Sequence, residues 1–157
     1  MAPTVSLQAV VQEMDVFSNE EHAYLNLRTG ELVTIRNEEI GILERGDDIQ
    51  DYPEWQHGMI RKTQEVLDSK DYLQLPGKFD IHEYAIMECF CYSVEAEELS
   101  DELLYQIRGS GAFRRFKDMI HRRGIAEEWY RFRQVALEEI ASEWLEAHDI
   151  PYIRESE

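Results

Sequence analysis

The apolar positions along the chain change period several times, and each change marks an element. Val5 to Met14 places apolar residues at helical spacing, a short amphipathic helix. Ala23 to Leu27 and Leu32 to Ile35 alternate instead, on either side of Arg28-Thr29-Gly30-Glu31. That pattern predicts a β-hairpin around a glycine-bearing turn. Asn37 then suits the N-cap of a short helix ending near Gly46. Trp55 to Lys70 reads as helix, and Asp71 to Leu75, stopped by Pro76, as a third strand able to join the hairpin. Beyond it the period is helical throughout. Asp80 and Glu83 have capping-box spacing at the head of a helix reaching about Val94. Glu97–Arg108, closed by Gly109, then Ala112–Arg123 and Ala126–Ala147, separated by Gly124, complete the set. The expected fold class is α+β: a small antiparallel sheet, formed by the hairpin and a third strand, packed with a larger, mostly helical C-terminal body. Residues 1–157 read as a single domain. A helix–hairpin–helix portion, 1–46, joins a mainly helical portion, 54–150, through a polar linker near 46–53.

Composition supports a folded chain of one-domain size. It has 157 residues, 43% hydrophobic and 11% aromatic. No apolar run is long enough to span a bilayer, and Met1-Ala2-Pro3-Thr4 lacks the basic start and apolar run of a signal peptide. Two cysteines, Cys89 and Cys91, form no disulfide framework. On a helix they point to nearly opposite sides, as core thiols rather than a shared metal site. A reducing cytoplasm is the expected location.

Charge changes the picture more. A net charge of −17 argues against membrane association and against non-specific nucleic-acid binding. The distribution is uneven: residues 108–133 hold eight basic and three acidic side chains, net +5 against −22 for the remainder.

Familiar chemical motifs are missing. Gly109-Ser110-Gly111 follows a helix and lacks the third glycine of a dinucleotide fingerprint, and no Gly-Lys-Ser/Thr occurs. His82-Glu83-Tyr84-Ala85-Ile86 has isoleucine where a zincin needs its second histidine. The five histidines show no metal spacing. No catalytic residue, metal ligand or cofactor is assigned.

Two candidate sites remain. In the first, Phe113, Phe116, Met119 and Ile120 form a core stripe, with Arg114, Lys117 and His121 on one flank and Arg115 and Arg122 on another. Arginines in a first helical turn oppose the helix dipole, and Gly109 and Gly111 free backbone N–H groups. Arg108, Gly109, Gly111, Arg114, Arg115, Lys117 and Arg122 are therefore candidates for an anion- or partner-binding site. The alternative is structural: Gly109 ends one helix, Ser110 caps the next, and the arginines pair with nearby carboxylates. In the second, Arg133 falls within the apolar stripe Trp129, Phe132, Ala136, Leu137, Ile140 and Trp144, so it needs a partner. Helix 81–94, apolar nearly all round, reads as the central buried helix, and its embedded Glu88 is the expected partner in a buried ion pair.

Tyr84-Ala-Ile-Met-Glu-Cys-Phe90, Arg108-Gly-Ser-Gly-Ala-Phe-Arg-Arg-Phe-Lys-Asp118, and Trp129-Tyr-x-Phe-Arg133 with Leu137 and Trp144-Leu145 resemble the bacterial uncharacterised protein family numbered 0158. The resemblance covers most of the chain. It implies a bacterial or phage cytosolic protein and implies no activity. Where the family pattern has an acid after the glutamate, this sequence has Cys89, which argues against a paired-carboxylate site. The leading expectation is a non-enzymatic binding or regulatory protein whose basic segment, 108–123, contacts a phosphate-bearing ligand or an acidic partner. The rival is an acidic inhibitor or mimic that blocks a basic protein surface, with the arginines structural.

Overall fold

The computed structural model describes residues 3–15, 20–77 and 80–154. Its fold is α+β, with seven α-helices, a three-stranded antiparallel sheet and a small parallel pair among the described residues. The chain divides into two compact units. One comprises residues 1–80 with 140–157, the other 81–139.

The first unit opens with β1 (Val5–Ser6), whose Ser6 hydroxyl accepts from the Ala9 N–H and so caps α1 (Leu7–Met14). β2 (Glu21–Asn26) and β3 (Leu32–Arg36) form the expected hairpin, registered Tyr24 against Val33. Its turn is closed by the Asn26 carboxamide, which accepts from the Arg28 and Thr29 N–H groups. α2 (Asn37–Arg45) starts one residue earlier than a cap at Asn37 requires: Arg36 occupies the N-cap position, without a side-chain cap. The polar stretch at 46–53 lies inside this unit. It contains a single 3-10 turn (Ile49–Asp51), capped by Asp48, and Asp47 accepts from both Arg45 and the Tyr52 hydroxyl. α3 (Glu54–Asp68) leads to β4 (Tyr72–Gln74), which adds antiparallel to the free side of β2 and gives the order β3-β2-β4. β5 (Tyr152–Ile153) pairs parallel with β1. Leu7, Val10, Leu25, Ile35 and Ile42 are fully or almost fully buried.

The second unit holds α4 (Glu83–Ser93), α5 (Glu97–Gln106), α6 (Ala112–Arg122) and the first part of α7 (Ala126–Ala147). Phe90, Phe116 and Trp129 meet edge-to-face, with ring centroids 4.9–6.0 Å apart, and Phe132 joins Phe90 at 5.5 Å. The carbonyls at the end of α4 are met by serines: Ser93 donates to Phe90 and Ser100 to Cys91, each at 2.6 Å.

Two sequence expectations are corrected here. α4 is not buried all round, since Tyr84, Ala85, Cys89 and Tyr92 are exposed. Its head carries no capping box: His82 is the N-cap, Asp80 accepts from the Gly77 N–H, and the Glu83 carboxylate points elsewhere.

Candidate functional site

The corner between α5 and α6 is wound around one side chain. Residues 108–111 include two glycines in the left-handed region, Gly109 at φ 72° and Gly111 at φ 77°. The turn brings the carbonyls of Gln106, Arg108 and Ser110 onto the Arg115 guanidinium. Arg115 Nε donates to Gln106 at 2.8 Å, Nη1 to Ser110 at 2.7 Å, and Nη2 to Arg108. These are the carbonyls at and just beyond a helix C-terminus, where a cation is favoured and acceptors lack intrahelical partners. Gly111, not Ser110, is the N-cap of α6, without a side-chain bond. A Cβ at Gly111 would stand 3.0 Å from Arg115 Nη1, so this glycine makes room for the guanidinium. Arg115, Gly109 and Gly111 thus build the corner. The Tyr84 hydroxyl adds a bond to the Ile107 carbonyl at 2.9 Å.

The other candidates of the segment face outward. Ala112, Phe116, Met119 and Ile120 are buried, leaving Arg114, Lys117 and Arg122 exposed. Phe113 is 44% exposed. Arg108 is exposed and places its guanidinium 5.6 Å from the Tyr105 ring centroid. Several other cations find acids: Arg28 with Asp71, Arg36 with Glu39, Arg45 with Asp47, Lys62 with Glu31 and Glu65, Arg123 with Glu102, and Arg131 with Glu127, whereas Arg61 and Lys70 make no ion pair among the described residues. Among the described residues Arg114, Lys117 and Arg122 make no ion pair, in a chain with 33 acidic and 16 basic side chains.

Arg133 has the acidic partner its position demands, but that partner is Glu83, not Glu88. Its Nε donates to Glu83 Oε2 at 3.2 Å and its Nη2 to Oε1, a forked pair with the side chains 13% and 25% exposed. Glu88 lies five residues, about 140° of helix, further round and is half-buried. The cysteines differ as well: Cys89 is exposed, whereas Cys91 is buried and its thiol is pushed up to about 11 by that burial, with the Glu88 carboxylate adding to the effect.

A further buried acid escaped the sequence reading. Glu39 in α2 is fully buried, held by the Arg36 guanidinium, and its Oε2 and Arg36 Nε have no hydrogen-bond partner. Its i, i+3 spacing from Arg36 was the available signal. A cavity of about 500 Å³, lined by Glu20, Glu21, Arg36, Asn37 and Glu38, lies in the first unit and includes none of the sequence candidates. No group of histidine, cysteine or carboxylate side chains suited to a metal occurs among the described residues, and no described helix is long and apolar enough to cross a membrane.

A family model describing an uncharacterised protein family, UPF0158, matches residues 48–157. The chain belongs to UPF0158. The matched span contains all of α4 to α7, hence the Arg115 corner and the Glu83–Arg133 pair of this UPF0158 chain. No curated protein and no solved structure matches it.

Proposed function

We propose that this chain is a non-enzymatic binding or regulatory protein whose basic segment, 108–123, contacts a phosphate-bearing ligand or an acidic partner through the α6 flank that carries Arg114 and Lys117. The observation that carries the reading is that neither of these two exposed cations has a carboxylate partner among the described residues. The chain has about twice as many acids as bases, and two neighbouring cations left without a carboxylate on one flank are available to an anion. The exposed Phe113 supports a partner with an apolar contact, since aromatic side chains and arginine are enriched where proteins meet. Arg115 is taken out of the ligand-binding set because its donors are spent on backbone carbonyls. The exposed thiol of Cys89 suits the reducing cytoplasm of a bacterium, where we place the protein.

A second reading has its own observation. Trp55 is 75% exposed beside the exposed acids Asp51 and Glu54, an arrangement suited to blocking a basic protein surface.

Thermal unfolding with inorganic phosphate, tripolyphosphate or a glutamate oligomer, at low and high salt, tests the first reading. It expects stabilisation of the wild type that fades with salt and is absent in Arg114→Ala/Lys117→Ala. Equal stabilisation of both proteins would refute it.

A further inference from the structure

Resting on the reading of α6 as an anion-binding flank, we infer that its ligand is a nucleoside polyphosphate, with the phosphates on Arg114 and Lys117 and the base against the Phe113 ring. The order of side chains around α6 carries this. Successive helical residues turn by about 100°, so from Phe113 the surface runs through Lys117 at about 40°, His121 at about 80°, Arg114 at about 100° and Asp118 at about 140°. All five are exposed. Lys117 is an i, i+4 neighbour of Phe113, an i, i+3 neighbour of Arg114, and an i, i+4 neighbour of His121. Asp118 bounds the other edge, where its carboxylate repels an anion approaching Arg114. The anion is thereby held on the side where the phenylalanine stands. Phe113 shares the spacing of the buried Phe116 and Ile120, yet its own ring is only partly covered.

Both ends of a nucleotide find a counterpart on this flank. Adjacent phosphates gather several negative charges over a short length. A guanidinium takes phosphate oxygens through paired hydrogen bonds, and an ammonium meets them as a point charge. The base offers a π-face, which an aromatic side chain takes by stacking. An acidic peptide would satisfy the cations but brings no base to the ring.

Length favours a small ligand over a polymer. Arg114 and His121 stand about 10.5 Å apart along the axis, at about 1.5 Å per residue. At 0.15 M salt a charge is felt over about 8 Å, so a ligand no longer than the flank stays within the field of Arg114 and Lys117. A long nucleic-acid strand leaves that field for a surface rich in carboxylates, in a chain of net charge −17, and is repelled there.

Equilibrium dialysis of the full chain against adenosine triphosphate and against tripolyphosphate, without divalent cations and at low and high salt, tests this. The expected result is that adenosine triphosphate binds roughly five- to tenfold more tightly than tripolyphosphate, the lower part of the range for one stacked base, and that salt weakens both. Phe113→Leu keeps an apolar side chain but removes the ring, and should abolish that preference while leaving tripolyphosphate binding unchanged. Asp118→Asn should strengthen both, and Arg114→Ala/Lys117→Ala should lose both. Circular dichroism checks that each variant is folded. Equal affinity for the two ligands, or a preference that persists in Phe113→Leu, overturns the inference. If tripolyphosphate or a glutamate oligomer binds through Arg114 and Lys117 with no gain from the base, the α6 reading survives and the nucleotide falls. If none of the three binds, both fall.

Discussion

Replacing Arg115 by alanine separates the two roles of the arginine-rich segment. Arg115 makes three charge-assisted bonds to carbonyls at the end of α5 and in the following turn. Bonds to a charged group contribute about 1.5–3 kcal/mol each when well shielded. Two of the three are exposed, where water replaces much of what is lost. Allowing about 1.5 kcal/mol for the Gln106 bond and about 0.5 kcal/mol for each of the others gives a loss of about 2.5 kcal/mol. For a chain of this size that lowers Tm by roughly 5–10 °C. Arg114→Ala, one position away and exposed, should change stability by less than about 0.5 kcal/mol. Urea unfolding followed by fluorescence provides the assay, since Trp129 is buried in the same unit. Arg115→Lys should recover part of the loss, because an ammonium carries charge but cannot fork across three carbonyls. Equal midpoints for Arg115→Ala and Arg114→Ala would refute the assignment.

Other outcomes follow from neighbouring features. Gly109→Ala forces a Cβ into left-handed backbone at a cost of about 1–2 kcal/mol. Gly111→Ala should cost more, because its Cβ also presses on Arg115 Nη1; urea midpoints for the two variants rank them. Glu83→Ala should destabilise by roughly 2–3 kcal/mol, below the full cost for a deeply buried pair because both side chains retain some exposure. Glu88→Ala should cost less than Glu83→Ala in the same assay, because Glu88 is not in Arg133's fork. A thiol reagent at pH 8 should modify Cys89 quickly and Cys91 only on unfolding, since the buried thiol, with its pKa near 11, is almost wholly protonated there. Two fast thiols in the native protein would contradict that placement.

Much of the fold was legible because its signals are local. Alternation about a glycine-bearing turn announced the β2–β3 hairpin, and helical period located α4 to α7. The β1–β5 pair was hidden, because two-residue strands leave no period to read and their partners lie at opposite ends of the sequence. Position alone showed that Arg133 needed a partner. Choosing Glu88 followed from treating α4 as buried on every side, whereas one face bears Tyr84, Cys89 and Tyr92 in the open. Glu83 looked like half of a capping box, and the tertiary ion pair claims its carboxylate instead. Arg114 and Arg115 differ in sequence only by 100° of helix. Which of them meets the carbonyls of α5 is decided by the path of residues 108–111, which residue type alone does not specify.

The central claim is that α6 divides its cations, with Arg115 holding the corner and Arg114 and Lys117 free to bind. The most direct test is fluorescence anisotropy of a labelled glutamate oligomer against wild type and Arg114→Ala/Lys117→Ala, with urea midpoints measured on the same samples. The account expects salt-sensitive binding by the wild type, its loss in the double variant, and an unfolding midpoint that does not move. Undiminished binding by the double variant, or a midpoint that falls as far as that of Arg115→Ala, would contradict it.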